Sequence, residues 1–516
     1  MFIFYLNSIN LFNQLPIKKL MKSIVVLFDE KNKYENEKVF DGKSAIELCN
    51  QAASTLGFKV ETVSNLTDIA SLFDCLASIC TQNSSDSVIF SFADCPFLNK
   101  ELTQELLDTH FEYKAEYTFA EGYPDGFAPE VLDSGTVKIL AELAHTTAEQ
   151  TGKKKITRSA VMDLIKTDIN SFEVETVLAP VDWRLFRFNF NCSKKENFIA
   201  CTKLYELTGG KGSAADLSKQ AAECPAILKT VPAFYNLQLA QKCSGKCSYC
   251  PYPQAVKALS GNGPEACNGI MDTKKALDLI EQIEKYSGEA VIGLSAWGEC
   301  FNHPDLYKII EKILSYEGLS VFIEADGNSI PQDFADKLAA LTRNAKERTN
   351  GWQKVMVVVS MDGFTEQTCK ALRGNDFDLQ KAVEAVTALE NKVPGCIYPQ
   401  FVRMNQNETE LESFFRYWNE KTNPSHGNFI IQKHNNFAGL LKNEEPADLS
   451  PLDKNPCWHI RREITVLYNG DCPSCYCRVL GNITGNVFEE GIDAVWKKMD
   501  KELGCGGCDE FYTFNF

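Results

Sequence analysis

Twice along this chain, short runs rich in β-branched and aromatic residues alternate with amphipathic helical segments, and that alternation leaves few folds open. The first series covers 22–185, with strands expected at 23–28, 59–63, 87–92 and 116–120 and helices at 44–56, 66–80 and 100–110. The second covers 229–445, with strands at 233–240, 290–296, 320–325, 354–361, 396–403 and 428–432. Helices are expected between them, for example at 273–285, 306–316, 334–341, 379–390 and 408–419. Strands and helices in strict alternation predict mostly parallel sheets with helical crossovers. The fold class is therefore α/β, in two domains. The six βα units of the second fit a partial barrel, whose site would form at the C-terminal strand ends. A chain of 516 residues has room for two to four such cores.

Two stretches break the rhythm. Residues 186–228 read as a connector with some helix. The run Gly209-Gly210-Lys211-Gly212-Ser213 lacks the GxxxxGK[ST] spacing and follows no strand, which predicts a turn rather than a phosphate loop. Residues 446–516 are cysteine-rich, with a turn at Tyr468-Asn469-Gly470-Asp471 and a short helix near 492–500. At the other end, residues 1–21 are apolar at first but have no basic region and no small-residue cleavage site, so they predict a disordered leader.

The balance of 53 Lys+Arg against 69 Asp+Glu leaves a formal charge of −16. A surface that acidic repels phosphate backbones and anionic headgroups, so neither nucleic acid nor membrane is expected as a partner. There is no apolar run of spanning length, and a cytoplasmic location is expected.

Twenty cysteines without a secretory signal favour metal or redox chemistry over a disulfide framework. Most are scattered and read as small buried hydrophobes. Two groups are not: Cys243, Cys247 and Cys250, directly after the first strand of the second series, and Cys472, Cys475, Cys477, Cys505 and Cys508 near the end. Three thiolates on one short loop can hold three irons of a 4Fe–4S cube and leave the fourth open. A zinc site would want a second pair close by. The six histidines show no metal-like spacing and are assigned no chemistry.

The loop Cys243-Ser-Gly-Lys-Cys247-Ser-Tyr249-Cys250 resembles the CxxxCxΦC signature of the radical S-adenosylmethionine (SAM) superfamily, with Tyr249 as the aromatic. Ser295-Ala-Trp-Gly298-Glu299-Cys300 resembles that family's GGEP motif, departing at Trp297 and Cys300. Glu324-Ala-Asp326-Gly327 ends the third strand as its TNG motif does, and Ser360-Met-Asp362-Gly363 with Leu372-Arg373-Gly374 is similar to its SLDG…LRG stretch. The resemblance implies a cluster on Cys243, Cys247 and Cys250 with SAM at the open iron, reductive cleavage to a 5′-deoxyadenosyl radical, and hydrogen abstraction from a substrate. It further implies that Gly298 and Glu299 contact the SAM amine, Ser360 the ribose or carboxylate, and Arg373 the carboxylate. A low-potential donor such as flavodoxin or ferredoxin would supply the electron.

Cys457, twelve residues, Gly470, four residues and Cys475, followed by Cys505-Gly-Gly-Cys508, resembles the SPASM extension of that superfamily. The resemblance implies one auxiliary 4Fe–4S cluster on Cys457, Cys475, Cys505 and Cys508, with Cys472 and Cys477 left over as alternate ligands. Zinc on the same four residues is the alternative. Tyr476 stands where some peptide-modifying relatives carry an Asp. The whole of 229–516 looks like the spirochaete group of SPASM proteins, through Ile431-Gln432-Lys433, Asn436-Phe437-Ala438-Gly439, Leu449-Ser450-Pro451 and Pro456-Cys457-Trp458-His459.

In the first domain, Asp94-Cys-Pro96-Phe97-Leu98 after a buried strand and Asp41-Gly42-Lys43-Ser44 opening a helix are similar to sugar-nucleotide cytidylyltransferases, a Rossmann-like nucleotidyltransferase fold. The glycine-rich phosphate loop is replaced by Asp29-Glu-Lys-Asn-Lys-Tyr-Glu-Asn-Glu, which would repel a triphosphate. A degenerate domain is expected. The leading expectation is a radical SAM enzyme acting on a peptide, protein or small metabolite. The alternatives are a nucleotidyltransferase with a regulatory iron–sulfur module and a non-catalytic, metal-stabilised scaffold.

Overall fold

The computed structural model describes residues 22–260, 267–349, 351–447, 457–479, 481–499 and 508; the expected leader, Leu449-Ser450-Pro451, Pro456 and Cys505 lie outside them. The chain divides into two compact units, Met1–Thr230 and Val231–Phe516.

In the first unit six strands form one sheet: β1 (Ser23–Asp29), β2 (Lys59–Ser64), β3 (Ser87–Phe92), β4 (Tyr117–Glu121), β5 (Glu130–Asp133) and β6 (Val174–Leu178), in the order β2-β1-β3-β5-β4-β6. β1 runs parallel to β2 and β3, and β4 to β6. β5 is antiparallel to both its neighbours, and neither it nor β6 is among the four expected strands. β1 and β3 are buried on both faces, which is why Ile24–Phe28 reads as an unbroken apolar run and Val88–Phe92 as one interrupted only by Ser91. Residues 186–228 are mostly helical, with Lys195–Thr208, Ala214–Glu223 and Pro225–Leu228, and they pack into this unit's core. Gly209 and Gly210, at φ +63° and +68°, turn the chain between the first two of these helices, and Ser213 caps the second.

The second unit carries a curled, all-parallel sheet of seven strands. In chain order they are β7 (Phe234–Leu237), β8 (Ala290–Gly293), β9 (Leu319–Ala325), β10 (Val355–Ser360), β11 (Ile397–Arg403), β12 (Ile430–Lys433) and β13 (Glu463–Val466). The first six lie in sequence order, β7 to β12, each joined to the next through a helical crossover. The helices present buried stripes to the sheet, such as Ala276, Leu279, Ile280 and Ile283 of Thr273–Ser287. β13 is the departure from the expected six strands. It comes from the cysteine-rich tail and pairs in parallel with β7, Ile464 opposite Tyr235 and Val466 opposite Leu237. The tail then folds back in a short antiparallel pair, β14 (Asp471–Pro473) and β15 (Ile483–Asn486). Gly470, at φ +93°, makes the turn, where an added Cβ would stand 2.3 Å from the Phe488 ring.

Candidate active site

In the second unit, the segments following the strand ends bring several of the singled-out residues together. The cysteine loop follows β7. The Gly245 N–H points at the Cys243 sulfur at 3.4 Å. A Cβ on Gly245 would stand 3.4 Å from the Cys243 sulfur and 3.6 Å from that of Cys247, so both thiols face one small cradle that any larger residue would fill. Cys250 lies within electrostatic reach of both. Burial pushes the Cys243 thiol up to about 11 and Cys250 up to about 12, and raises Cys247 as well. Burial by itself keeps these thiols protonated, so a cation bound among them would be needed to draw them to thiolates. Three sulfurs on one short loop match a cubane with one open iron, whereas a four-coordinate zinc ion would want a fourth ligand. Among the described residues, no three His, Cys, Asp or Glu side chains are already drawn together as a metal-holding group.

Backbone contacts hold the loop at both ends. Gly298, after β8, lies against the segment leading into it: a Cβ there would be 1.8 Å from the Ala240 carbonyl oxygen. The Glu299 N–H and the Asn302 side chain both donate to the Lys242 carbonyl, at 3.2 and 2.8 Å. On the other side, the Lys246 and Ser248 N–H groups donate to the carbonyls of Arg373 and Leu372 at 3.2 and 2.8 Å.

Glu299 is 5% exposed. Its Oε2 lies 2.6 Å from the Ser329 hydroxyl, which is also 2.9 Å from Asp326 Oδ1. Burial, offset in part by Ser329, pushes its carboxyl up to about 7. Ser360 is already bonded inside the sheet: its hydroxyl donates to Glu324 Oε1 at 3.0 Å, and Gln400 donates to both, at 2.8 Å to Glu324 and 3.0 Å to Ser360. Arg373 is also engaged, with Nη1 2.5 Å from Asp362 Oδ2 and 2.6 Å from the Tyr249 oxygen, while its buried Nε has no partner among the described residues. The Tyr249 hydroxyl donates to the same Asp362 oxygen.

Beside the loop lies an apolar cluster of Tyr252, Trp297, Phe437 and Leu441, against which Tyr249, Cys250 and Tyr476 pack. Trp297 stands in the left-handed region, φ +42°, at the position where the resembled motif has glycine. Its ring stacks between Tyr252 (6.4 Å) and Tyr476 (5.2 Å), and this packing offsets the backbone strain.

In the tail, Cys457 lies within electrostatic reach of Cys475. Cys477, which the expected ligand set left over, hydrogen-bonds with both Cys475 and Cys508. The Cys477 contact, helped by His459, to which spacing assigned nothing, draws the Cys475 thiol down to about 7 against the opposing effect of burial. Cys472 turns away, its sulfur directed at the Gly470 carbonyl in the core.

In the first unit Asp94 is 2% exposed, and both its oxygens lie 2.7 Å from Arg158 Nη2. Asn32 adds a third hydrogen bond, and the guanidinium rests 4.4 Å above the Phe92 ring. The acid that resembles a metal–phosphate ligand is thus already neutralised by a side chain of its own chain.

Fold and site together define an α/β protein whose parallel half-barrel sheet carries a three-cysteine loop after its first strand. No protein-family model matches this chain. An uncharacterized protein of Treponema pallidum (strain Nichols) is 34% identical over 376 residues, 69% of this chain and 99% of that protein, and the chain belongs to its family. A second uncharacterized Treponema pallidum protein is 34% identical over 82 residues, 15% of this chain and 37% of the other. Among solved structures, Streptococcus suis SuiB bound to the precursor peptide SuiA is similar over 64% of this chain and 87% of its own, with 13% identity and a TM-score of 0.40. BtrN in complex with AdoMet and 2-DOIA is similar over 55% and 92%, with 15% identity and a TM-score of 0.34. A cytidylyltransferase from Leptospira borgpetersenii covers 40% of this chain and 96% of its own, with 12% identity and a TM-score of 0.32. Similarity at this level assigns neither substrate nor reaction. No described helix is long and apolar enough to cross a membrane.

Proposed function

We propose that the second unit is a radical SAM enzyme acting on a peptide, protein or small metabolite. The observation that carries this is the Gly245 cradle, which turns the Cys243 and Cys247 sulfurs to one side of a loop that follows the first strand of a parallel half-barrel sheet. A 4Fe–4S cluster held by Cys243, Cys247 and Cys250 would supply the electron that splits the SAM sulfonium to methionine and a 5′-deoxyadenosyl radical.

The chain's own residues would do the rest. Glu299, ionised, would accept a charge-assisted hydrogen bond from the SAM ammonium. Gly298 gives the backbone its close approach to Ala240 and so aims that carboxylate. Ser360 would reach the ribose together with Glu324, to which it already donates. The spare Nε donor of Arg373 would meet the SAM carboxylate. Trp297, Tyr252 and Phe437 would keep water from the reacting face. In the tail, Cys457, Cys475, Cys505 and Cys508 would hold an auxiliary cluster, or zinc, with Cys477 a further thiol in contact with two of them. A flavodoxin- or ferredoxin-type protein would deliver electrons. The first unit, with Asp94 charge-paired to Arg158, would serve docking or structure rather than nucleotidyl transfer.

The test is anaerobic reconstitution with iron and sulfide, followed by dithionite and SAM. About eight irons per chain, with 5′-deoxyadenosine formed by wild type and not by Cys247→Ala, is the expected result. About four irons with the nucleoside still formed would assign zinc to the tail. Iron uptake with no nucleoside would overturn the proposal.

A further inference from the structure

We propose that Tyr249, Asp362 and Arg373 form a charge-balanced clamp that positions the cysteine loop and sets the reduction potential of the cluster it holds; this rests on the assignment of Cys243, Cys247 and Cys250 as cluster ligands. Three elements meet here. Tyr249 lies between the second and third cysteines, Asp362 just past β10, and Arg373 at the end of helix Glu366–Arg373.

Asp362 is the anchor. Its backbone is left-handed, φ +61°, a conformation that persists in an aspartate only where the surroundings over-determine it. They do: Oδ1 accepts the Val402 N–H at 2.8 Å, and the Asp362 carbonyl accepts the Asn407 side-chain amide at 2.9 Å. That leaves Oδ2, which takes both the Arg373 guanidinium and the Tyr249 hydroxyl. The Arg373 and Asp362 side chains are 7% and 0% exposed, so neither charge is matched by water and each is the other's counter-ion. The same helix end grips the loop backbone on either side of Cys247, through the Lys246 and Ser248 N–H groups.

The electrostatic consequence follows from placement. At the Cys247 sulfur the guanidinium favours negative charge and the carboxylate opposes it. Reduction adds one negative charge to a cluster, so an uncompensated cation nearby raises its potential and an uncompensated anion lowers it. Held as a pair, the two nearly cancel.

The experiment follows the EPR signal that Cys247→Ala abolishes, through a potentiometric titration of the reconstituted full chain. Asp362→Asn should shift the midpoint to more positive values and Arg373→Gln to more negative ones. The double variant, neutral again, should return toward wild type. A merely structural role would instead make the double variant the most perturbed. Tyr249→Phe keeps both charges, so its potential should stay near wild type, while chelators strip its cluster several-fold faster. Shifts of the same sign in the two single variants, or no shift together with unchanged cluster loss in Tyr249→Phe, would overturn the clamp. A wild-type chain that takes up no cluster on Cys243, Cys247 and Cys250 would instead overturn the assignment beneath it.

Discussion

A methyl group on Gly298 would have to push the Ala240 carbonyl aside from 1.8 Å, and backbone gives way far less readily than a side chain. Gly298→Ala should therefore cost about 2 kcal/mol or more of the second unit's stability and loosen the cysteine loop, read as a lowered denaturant midpoint and reduced iron uptake. Glu299, pushed up to about 7, is largely neutral at about pH 6 and largely ionised at about pH 7.5. Only the ionised form pairs with an ammonium, so SAM should bind more tightly as pH rises through that window. Glu299→Gln should flatten the dependence and weaken binding about tenfold at the upper end, measured by equilibrium dialysis. At this scale the residue types were legible and their engagements were not. Cys243, Cys247 and Cys250 announce themselves by spacing, whereas Arg373 pairs with Asp362 eleven positions before it and Tyr249 in a separate segment, and no local pattern marks a partner brought by the fold. Cys477 was legible as an alternate ligand beside Cys475, two positions away, whereas its contact with Cys508 is brought by the fold.

The elements of the second sheet could be read because each strand is a compact apolar run between helices with a clear 3.6-residue stripe; β10, Val355–Ser360, is buried along nearly its whole length. β13 escaped because Glu463-Ile-Thr-Val466 is four residues long and sits in a tail whose cysteines and turns suggest a separate module. Its place is set by tertiary pairing with β7, not by propensity. β5 escaped for a similar reason, being four residues between an irregular stretch and the start of the helix Ser134–Thr151. If β13 completes the core as the pairing indicates, Ile464→Ala, at a side chain 0% exposed, should destabilise the second unit by about 3 kcal/mol. The first unit's unfolding transition should be unchanged, as followed by circular dichroism in urea.

Two units with separate cores predict unfolding that is not two-state for the whole molecule. The first should show two opposed pH dependences. His110, 3% exposed, is drawn down to about 4 by burial, so it contributes stability above its ordinary value near 6.5 that is lost as pH falls toward 4. Glu130, hydrogen-bonded to Tyr117, is pushed up to about 7 by burial, so its contribution is present below about 4.5 and is lost as pH rises through 7. The slopes nearly cancel between about pH 4.5 and 6.5. His110→Leu should expose the Glu130 slope alone, with stability rising toward acid in pH-dependent denaturation, and Glu130→Gln should expose the reverse.

During synthesis, β7 leaves the ribosome long before the strand that covers its outer edge. From Leu237 to Glu463 the chain must grow by 226 residues, 463 − 237. At roughly 5–20 residues per second that is on the order of 10–45 s. Through that interval β8 can dock on one side of β7, but the other side offers a row of open N–H and C=O groups to any extended segment nearby. The nascent half-barrel therefore keeps an open strand edge until residue 463 is made, and a chain cut short before it would carry that adhesive flank permanently.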